Sequence, residues 1–362
     1  MPDLPILSEL ARVFVRLGAT SFGGPAAHIA IMDEELVRRR EWVTRERFLD
    51  LLGAANLIPG PNSTELAMHI GWQRGGLPGL VVSGLAFILP AVLVTGVFAW
   101  TYVAFGALPA LVAPLAGIRA ALIAVVLGAV WRLGRTAVRS RTLACLGGLT
   151  LVAALIGGNE LFLLLAAGVL GATWIAGIPG LRRPGSAAAV EPTLVALLLY
   201  FLKIGSVLYG SGYVLIAFLE GGLVDRLHWL TRTELLDAVA AGQFTPGPVL
   251  STATFVGYLI YGWPGAVVAT VGIFLPSFIL VAVTSPLVGR LRRTPWAAAF
   301  LDSVNVAALA LMVEVAVRLA ADALPGPWSW AIAGVAFLVL SRWSPNPAWI
   351  VVGGAAAGAL VL

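Results

Sequence analysis

The sequence predicts an all-α polytopic membrane protein built from two homologous repeats in inverted orientation, with broken or re-entrant helices at Pro-Gly-Pro motifs. Three observations carry this reading. First, 59% of the 362 residues are hydrophobic and only 11% charged, with a mean hydropathy of +0.95. That is more apolar surface than a water-soluble core can use. Second, the chain repeats itself: Pro59 aligns with Pro246 and Pro90 with Pro276, the offset shortening by one residue in between. Third, Pro59-Gly60-Pro61 and Pro246-Gly247-Pro248 both interrupt apolar stretches that would otherwise run on as helices. Interrupted hydrophobic segments at matching places in two halves mark a transporter's binding site.

The register between the halves is dense. Phe14 matches Phe201, Gly18 matches Gly205, Gly23 matches Gly210, and Arg39 matches Arg226. Trp42, Thr44, Arg45, Leu49 and Asp50 recur as Trp229, Thr231, Arg232, Leu236 and Asp237, and Leu89-Pro90 recurs as Leu275-Pro276. The chain therefore divides into a first membrane repeat (1–180), a linker (181–192) around Arg182-Arg183-Pro184-Gly185-Ser186, and a second membrane repeat (193–362). At roughly 20 residues per span, this length holds about ten to twelve membrane segments.

The first repeat opens with a helix over about 10–36, interrupted at Gly23-Gly24-Pro25. A charged loop (37–47) follows, then a helix broken at Pro59-Gly60-Pro61, then apolar spans at about 77–105, 108–131, 142–158 and 160–177. The second repeat has corresponding segments at about 193–222, 232–262, 264–287, 297–320, 326–341 and 347–362. Thr231-x-x-Glu234 has capping-box spacing and marks a helix start at the membrane surface. Glu314 and Arg318 are spaced for an intrahelical ion pair.

The net charge of +5 comes from 22 arginines and one lysine against 18 acids, and reads as topogenic rather than nucleic-acid-binding. The first charged loop holds Arg38, Arg39, Arg40, Arg45 and Arg47; the second holds only Arg226 and Arg232. A cytoplasmic first loop then puts the second outside. If each Pro-Gly-Pro segment re-enters and every other segment crosses, the repeats are inverted, with about ten crossings and two hairpins. The N-terminus lacks the charged and cleavable parts of a signal peptide. Cys145 is alone and the three histidines are scattered, so no disulfide, metal site or cofactor is expected.

In Pro-Gly-Pro, the residue before each proline is pushed out of the helical region, and the second proline suits the first turn of an outgoing half-helix. The N–H groups at Asn62, Ser63 and Thr64, and at Val249, Leu250 and Ser251, then favour an anion, reinforced by the helix dipole. Hydroxyls of Ser63, Thr64, Thr245, Ser251 and Thr252 add neutral donors. Gly23 and Gly24, matched by Gly210, offer either a second pair of half-helix starts or close helix packing. Lys203, the chain's single lysine, lies mid-span with Arg16 as its repeat partner, and both are candidate anion contacts. The alternative is snorkelling to an interface. Arg119, opposite Asn305, is read as an anion contact or as the partner of a carboxylate. Glu65, with His69 one turn on, either complements the helix start or carries a proton for coupling, since an ionised carboxylate would repel a dianion. In the offset of the Pro-Gly-Pro motifs, Asn62 and Glu65 stand opposite Val249 and Thr252.

These stretches resemble the chromate ion transporter family in its two-domain, long-chain form. The matching residues are Ser21 to Pro25, Ile58 to Glu65, Gln243 to Tyr258, and Phe274 to Phe278. The resemblance implies efflux of chromate across the bacterial inner membrane, with sulfate as a related oxyanion, driven by membrane potential or a proton gradient. The partners expected are a chromate or sulfate oxyanion, protons as a coupling ion, the lipid bilayer and, as an option, a second copy in a homodimer, with no nucleic acid. Tyr209-Gly210-Ser211-Gly212 departs from the family's Gly-Gly-Pro, so the half-sites are not equivalent. Competing readings are a carrier for another anion, such as sulfate or an organic acid, and an anion channel, although no ring of repeated charges is visible. An enzyme would need a nucleophile with a base, or a metal cluster, and the sequence displays neither.

Overall fold

The computed structural model describes residues 4–21, 24–56, 58–106, 109–176, 191–209, 214–287, 295–343, 345 and 347–361, and no strand occurs among them. The predicted linker falls almost wholly outside these residues, as do Gly23 and Gly210. The first repeat contains α1 (Leu4–Thr20), α2 (Gly24–Met32), prolonged by a π-helical stretch Asp33–Arg39, and α3 (Arg45–Ala55). It continues with α4 (Asn62–Phe105), α5 (Pro109–Ala137), α6 (Arg141–Leu155) and α7 (Glu160–Ala176). The second repeat follows the same order: α8 (Leu194–Val207), α9 (Val214–Leu219) with a π-helical stretch Glu220–Val224, and α10 (Arg232–Phe244). A 3₁₀ turn (Val249–Ser251) then leads into α11 (Thr252–Thr284), α12 (Pro295–Ala323), α13 (Pro327–Trp343) and α14 (Pro347–Val361).

The first segment departs from expectation. It does not cross as one interrupted helix; α2 folds back along α1. Arg16 pairs with Glu35 at 2.5 Å, Arg40 reaches Glu9 at 3.3 Å, and His28 meets the Ser21 carbonyl at 3.1 Å. In a straight helix, Glu9 and Arg40 would lie about 45 Å apart. The chain reverses at the break, and carboxylate–arginine pairs fasten the two arms. The second repeat makes the same hairpin, with the Tyr200 hydroxyl donating to the Phe218 carbonyl at 2.5 Å.

Of the two arrangements the sequence leaves open for the Pro-Gly-Pro segments, broken or re-entrant, the short arms fit the second. Thr44 caps α3 by accepting from the Arg47 N–H, and Arg47 contacts Gln73 at 3.4 Å, bringing the start of α3 beside the end of α4's first arm. The 11 residues of α3 extend about 16 Å and the arm from Asn62 to Arg74 about 20 Å, both short of a hydrocarbon core of about 30 Å. Thr231 and Glu234 form the predicted capping box at the start of α10.

Each arm ends in an abrupt turn at Gly75–Gly76 (φ/ψ −140°/19° and 60°/−149°), repeated at Tyr261–Gly262 (−145°/22° and 62°/−151°). The second residue of each turn needs glycine. The turns fold Gly71 against Gly79 and Gly257 against Gly265. Beyond them, the chain runs out in long apolar helices. Among the described residues, four stretches are long and apolar enough to cross a membrane: Asn62–Phe105, Ala110–Arg135, Val249–Thr284 and Asp302–Ala323. Leu85, Leu89 and Leu93 form an exposed apolar stripe on α4 at the spacing of a lipid-facing surface.

Equivalent helices fix the relation between repeats. Gly84 packs on Phe278, whereas Gly96 packs on Trp263, so α4 and α11 run antiparallel past each other. Two copies of one unit that meet in this way are inverted. The hairpins of the first repeat therefore enter from one end of the molecule and those of the second from the other.

Candidate functional site

The hairpin tips meet between the repeats. Gly60 (φ 139°) and Gly247 (φ 91°) both adopt left-handed backbone that the Pro-Gly-Pro turn demands. The Gly60 N–H donates to the Leu208 carbonyl at 2.7 Å, and the Gly247 N–H donates to the Ser21 carbonyl at 2.8 Å. Ser21 and Leu208 are themselves register equivalents, each at the end of its repeat's first hairpin arm. Each Pro-Gly-Pro loop is thus closed by the other repeat. Pro61 and Pro248 stand at the N-cap, one residue before the outgoing turn, rather than within its first turn.

At the first tip, Glu65 is fully buried; its Oε1 accepts from the Ser277 hydroxyl on α11 at 3.1 Å, while its Oε2 has no hydrogen-bond partner among the described residues. Thr64 Oγ1 is likewise buried without one. His69 Nδ1 lies 2.9 Å from the Ser285 hydroxyl, and its Nε2 is unpartnered. Glu65 and His69 share a helix face, but their hydrogen bonds go separately to the other repeat. His28 Nδ1 lies 3.1 Å from the Ser63 hydroxyl, and Asn62 hydrogen-bonds Asn56 across the loop.

The second tip is built from neutral hydroxyls. Thr95 on α4 donates to Thr245 at 3.2 Å and lies 3.1 Å from the Ser251 hydroxyl, while the Thr252 hydroxyl donates to the Val249 carbonyl at 2.8 Å. The register here needs correction. The turn glycines Gly71 and Gly257 already carry the shorter offset, so the missing residue falls just after Pro-Gly-Pro, at the 3₁₀ turn Val249–Ser251. Three residues rising about 2.0 Å each advance as far as four at about 1.5 Å. Glu65 therefore stands opposite Ser251, not Thr252.

The expected cations are not at the tips. Arg16 and Lys203 are both exposed, and Glu35 holds the guanidinium of Arg16. The cause is helical phase: Gly18 and Gly205, two residues on, press against the carbonyls of Phe87 and Ile273. A two-residue step turns about 200° around the helix, which points Arg16 and Lys203 away from that packing face. Of the two roles open to Arg119, the structure places it in the second. Its Nε and Nη2 grip both oxygens of buried Asp237 at 2.7 and 2.6 Å, and Tyr102 donates to the same carboxylate at 2.8 Å. Glu314 and Arg318 do form their intrahelical pair, and Arg318 also reaches Asp225 at 2.9 Å. Gly24 begins α2.

Sequence reasoning missed His28 and Thr95 as members of the tips, and quoted Ser277 only within a motif. The available signal was a lone polar residue in an apolar helix whose repeat partner is apolar: Leu215, Val281 and Ala91, respectively.

The profile of the chromate transporter family matches this chain twice, over residues 8–172 and 195–359. The chain belongs to the chromate transporter family. A chromate transport protein of Cupriavidus metallidurans is 32% identical over 98% of this chain and 93% of its own length. The chromate transport protein of Pseudomonas aeruginosa is 31% identical over 98% and 92%. A shorter match is the uncharacterized transporter YwrA of Bacillus subtilis, 27% identical and aligning 89% of its own length with 42% of this chain. No solved structure matches. For this family member, two profile matches coincide with the two structural repeats, and both include a Pro-Gly-Pro tip.

Proposed function

We propose that this protein is a secondary active transporter that exports chromate, and sulfate as a related oxyanion, across a bacterial inner membrane. The oxyanion binds where the hairpin tips meet. The observation that carries the proposal is the reciprocal pair of bonds, Gly60 to Leu208 and Gly247 to Ser21, because it sets the starts of two outgoing half-helices on either side of one seam. Backbone N–H groups at Asn62 and Ser63, and at Val249 and Leu250, with the hydroxyls of Thr64 and Ser251, replace the hydration of a tetrahedral dianion, while the hydroxyl hydrogens of Thr245 and Thr252 go to the Ala241 and Val249 carbonyls. Such a site uses many neutral donors rather than a fixed cation, and Arg16 and Lys203 are not needed in it.

Glu65 is the coupling group in this proposal, with His69 one turn along. A buried carboxyl beside a dianion must carry a proton, which links the anion's binding to pH. The membrane potential or a proton gradient supplies the driving force. Purified protein in liposomes tests both statements. Radiolabelled chromate should accumulate, sulfate should compete, phosphate should not, and an imposed pH difference should alter the flux. Chromate that neither moves nor competes removes the substrate assignment; flux that never concentrates the anion makes the protein a channel.

A further inference from the structure

His28 on α2 is buried, and the second repeat has Leu215 at the same place. Its ring makes two hydrogen bonds, from Nε2 to the Ser21 carbonyl and between Nδ1 and the Ser63 hydroxyl, both 3.1 Å long, with Phe87 edge-on at 5.6 Å. A carbonyl oxygen only accepts, so Nε2 carries the hydrogen. In the neutral ring, Nδ1 is then a bare acceptor, and Ser63 must donate to it. This uses the only hydrogen on the Ser63 hydroxyl. An oxyanion beside Ser63 meets lone pairs instead of a donor. When the ring gains a proton, Nδ1 becomes a donor, Ser63 accepts from it, and the serine hydrogen is released toward the anion.

We propose that His28 is a positioning residue that sets the donor sense of Ser63 and, through it, the oxyanion affinity of the first tip. This rests on the tips being the oxyanion site. The Ser21 carbonyl that holds His28 also accepts from the Gly247 N–H, so the same ring is tied to the second tip. The elements packed around His28 face it with groups that do not titrate: Ser21 just past the end of α1, and Ser63 and Phe87 from α4. Arg12 on α1 is exposed, and other charged and titratable groups on those elements are engaged elsewhere. Glu65 meets Ser277, His69 meets Ser285, Arg16 meets Glu35, Arg74 meets Glu9, and Asp33, on the extension of α2, meets Arg45.

The full-length protein in lipid nanodiscs, with radiolabelled sulfate as a probe that stays a dianion across the working range, provides the test. Wild-type affinity should fall as pH rises, His28 contributing up to tenfold per pH unit over its titration. His28→Gln keeps an N–H for the Ser21 carbonyl and a carbonyl oxygen that takes the Ser63 hydrogen, so it mimics the neutral ring at every pH. It should lose that tenfold-per-unit slope and bind at acid pH about as weakly as the wild type does at alkaline pH. Ser63→Ala should lose the same slope from the other side. Weaker binding in His28→Gln with an unchanged slope would overturn the relay. Spectra of ¹⁵N-histidine in the anion-free protein need no ligand: the Nε2–H tautomer is expected, and an Nδ1–H tautomer overturns the relay. Failure of the wild type to bind sulfate or chromate at any pH removes the oxyanion reading instead, and the tautomer still decides the hydrogen-bond sense.

Discussion

At the first Pro-Gly-Pro tip, a left-handed glycine faces a buried carboxyl and the serine that donates to it; at the second, the equivalent glycine faces the Ala91 methyl and backbone carbonyls of Gly18 and Phe87. Thr95, Thr245 and Ser251 link their hydroxyls at the second tip, where the first has Val281, Ile58 and Glu65 in register. The backbone bonds that close the two loops are nevertheless the same pair, within 0.1 Å of each other at 2.7 and 2.8 Å. Backbone geometry here follows from proline and glycine, which both repeats carry, whereas the side chains around it are free to differ. Anion-facing N–H groups are therefore supplied twice, and an acid only once.

The same inequality runs along the second hairpins, and the largest expected effect lies there. Asp237 is buried and gripped by Arg119 and Tyr102; its equivalent, Asp50, is half-buried, and Asn305 stands where Arg119 would be. Asp237→Asn should destabilise the protein by about 3 kcal/mol by leaving Arg119 unpaired, a larger loss than Asp50→Asn produces at the half-buried equivalent. Thermal melts in detergent measure the difference, and equal losses would show that the hairpins are energetically alike.

Gly60→Ala comes next. Its new methyl strikes the Glu65 carboxyl and the Ser277 hydroxyl, on top of backbone strain of about 1–3 kcal/mol. Chromate flux in liposomes should fall about a hundredfold. Gly247→Ala carries similar strain and meets Ala91 Cβ at 3.0 Å and the Gly18 carbonyl at 3.1 Å, but displaces no acid. A loss of roughly tenfold is expected there, about 1.4 kcal/mol. Equal losses would deny the first tip its special role.

Glu65→Gln should have the smallest effect on binding, because the amide oxygen still accepts from Ser277. Affinity at acid pH should stay within about threefold, while the response of flux to an imposed pH gradient should shrink. An undiminished response would move coupling away from Glu65.

Much of this was legible in the sequence. The repeat, the helix breaks at Pro-Gly-Pro and the capping box were readable because proline, glycine and paired polar residues are scarce in apolar helices and leave few alternatives. Whether the broken arms cross or re-enter was not readable, and neither was the α1–α2 hairpin. A break at Gly23-Gly24-Pro25 shows that a helix stops, but the pairs that turn the next one back, Arg16 with Glu35 and Arg40 with Glu9, are made at long range. Lys203 was misplaced because a charge in an apolar run reveals its depth and not its face. The glycine two positions further on, at Gly205, carried the missing phase. Ser277 and Thr95 belong to tips of the opposite repeat, which no local pattern discloses.

The loop closures exchanged between Gly60 and Leu208 and between Gly247 and Ser21 have a consequence for how such a molecule can be divided. A polypeptide holding one repeat has a loop without its closing carbonyl and a carbonyl without its loop. Two such chains would have to lie head to foot in the bilayer to finish each other. If the two were identical, every substitution at one tip would appear at the other, and an acid could not be placed at one alone. Joining the halves in a single chain fixes their ratio and frees Glu65 and Ser251 to differ.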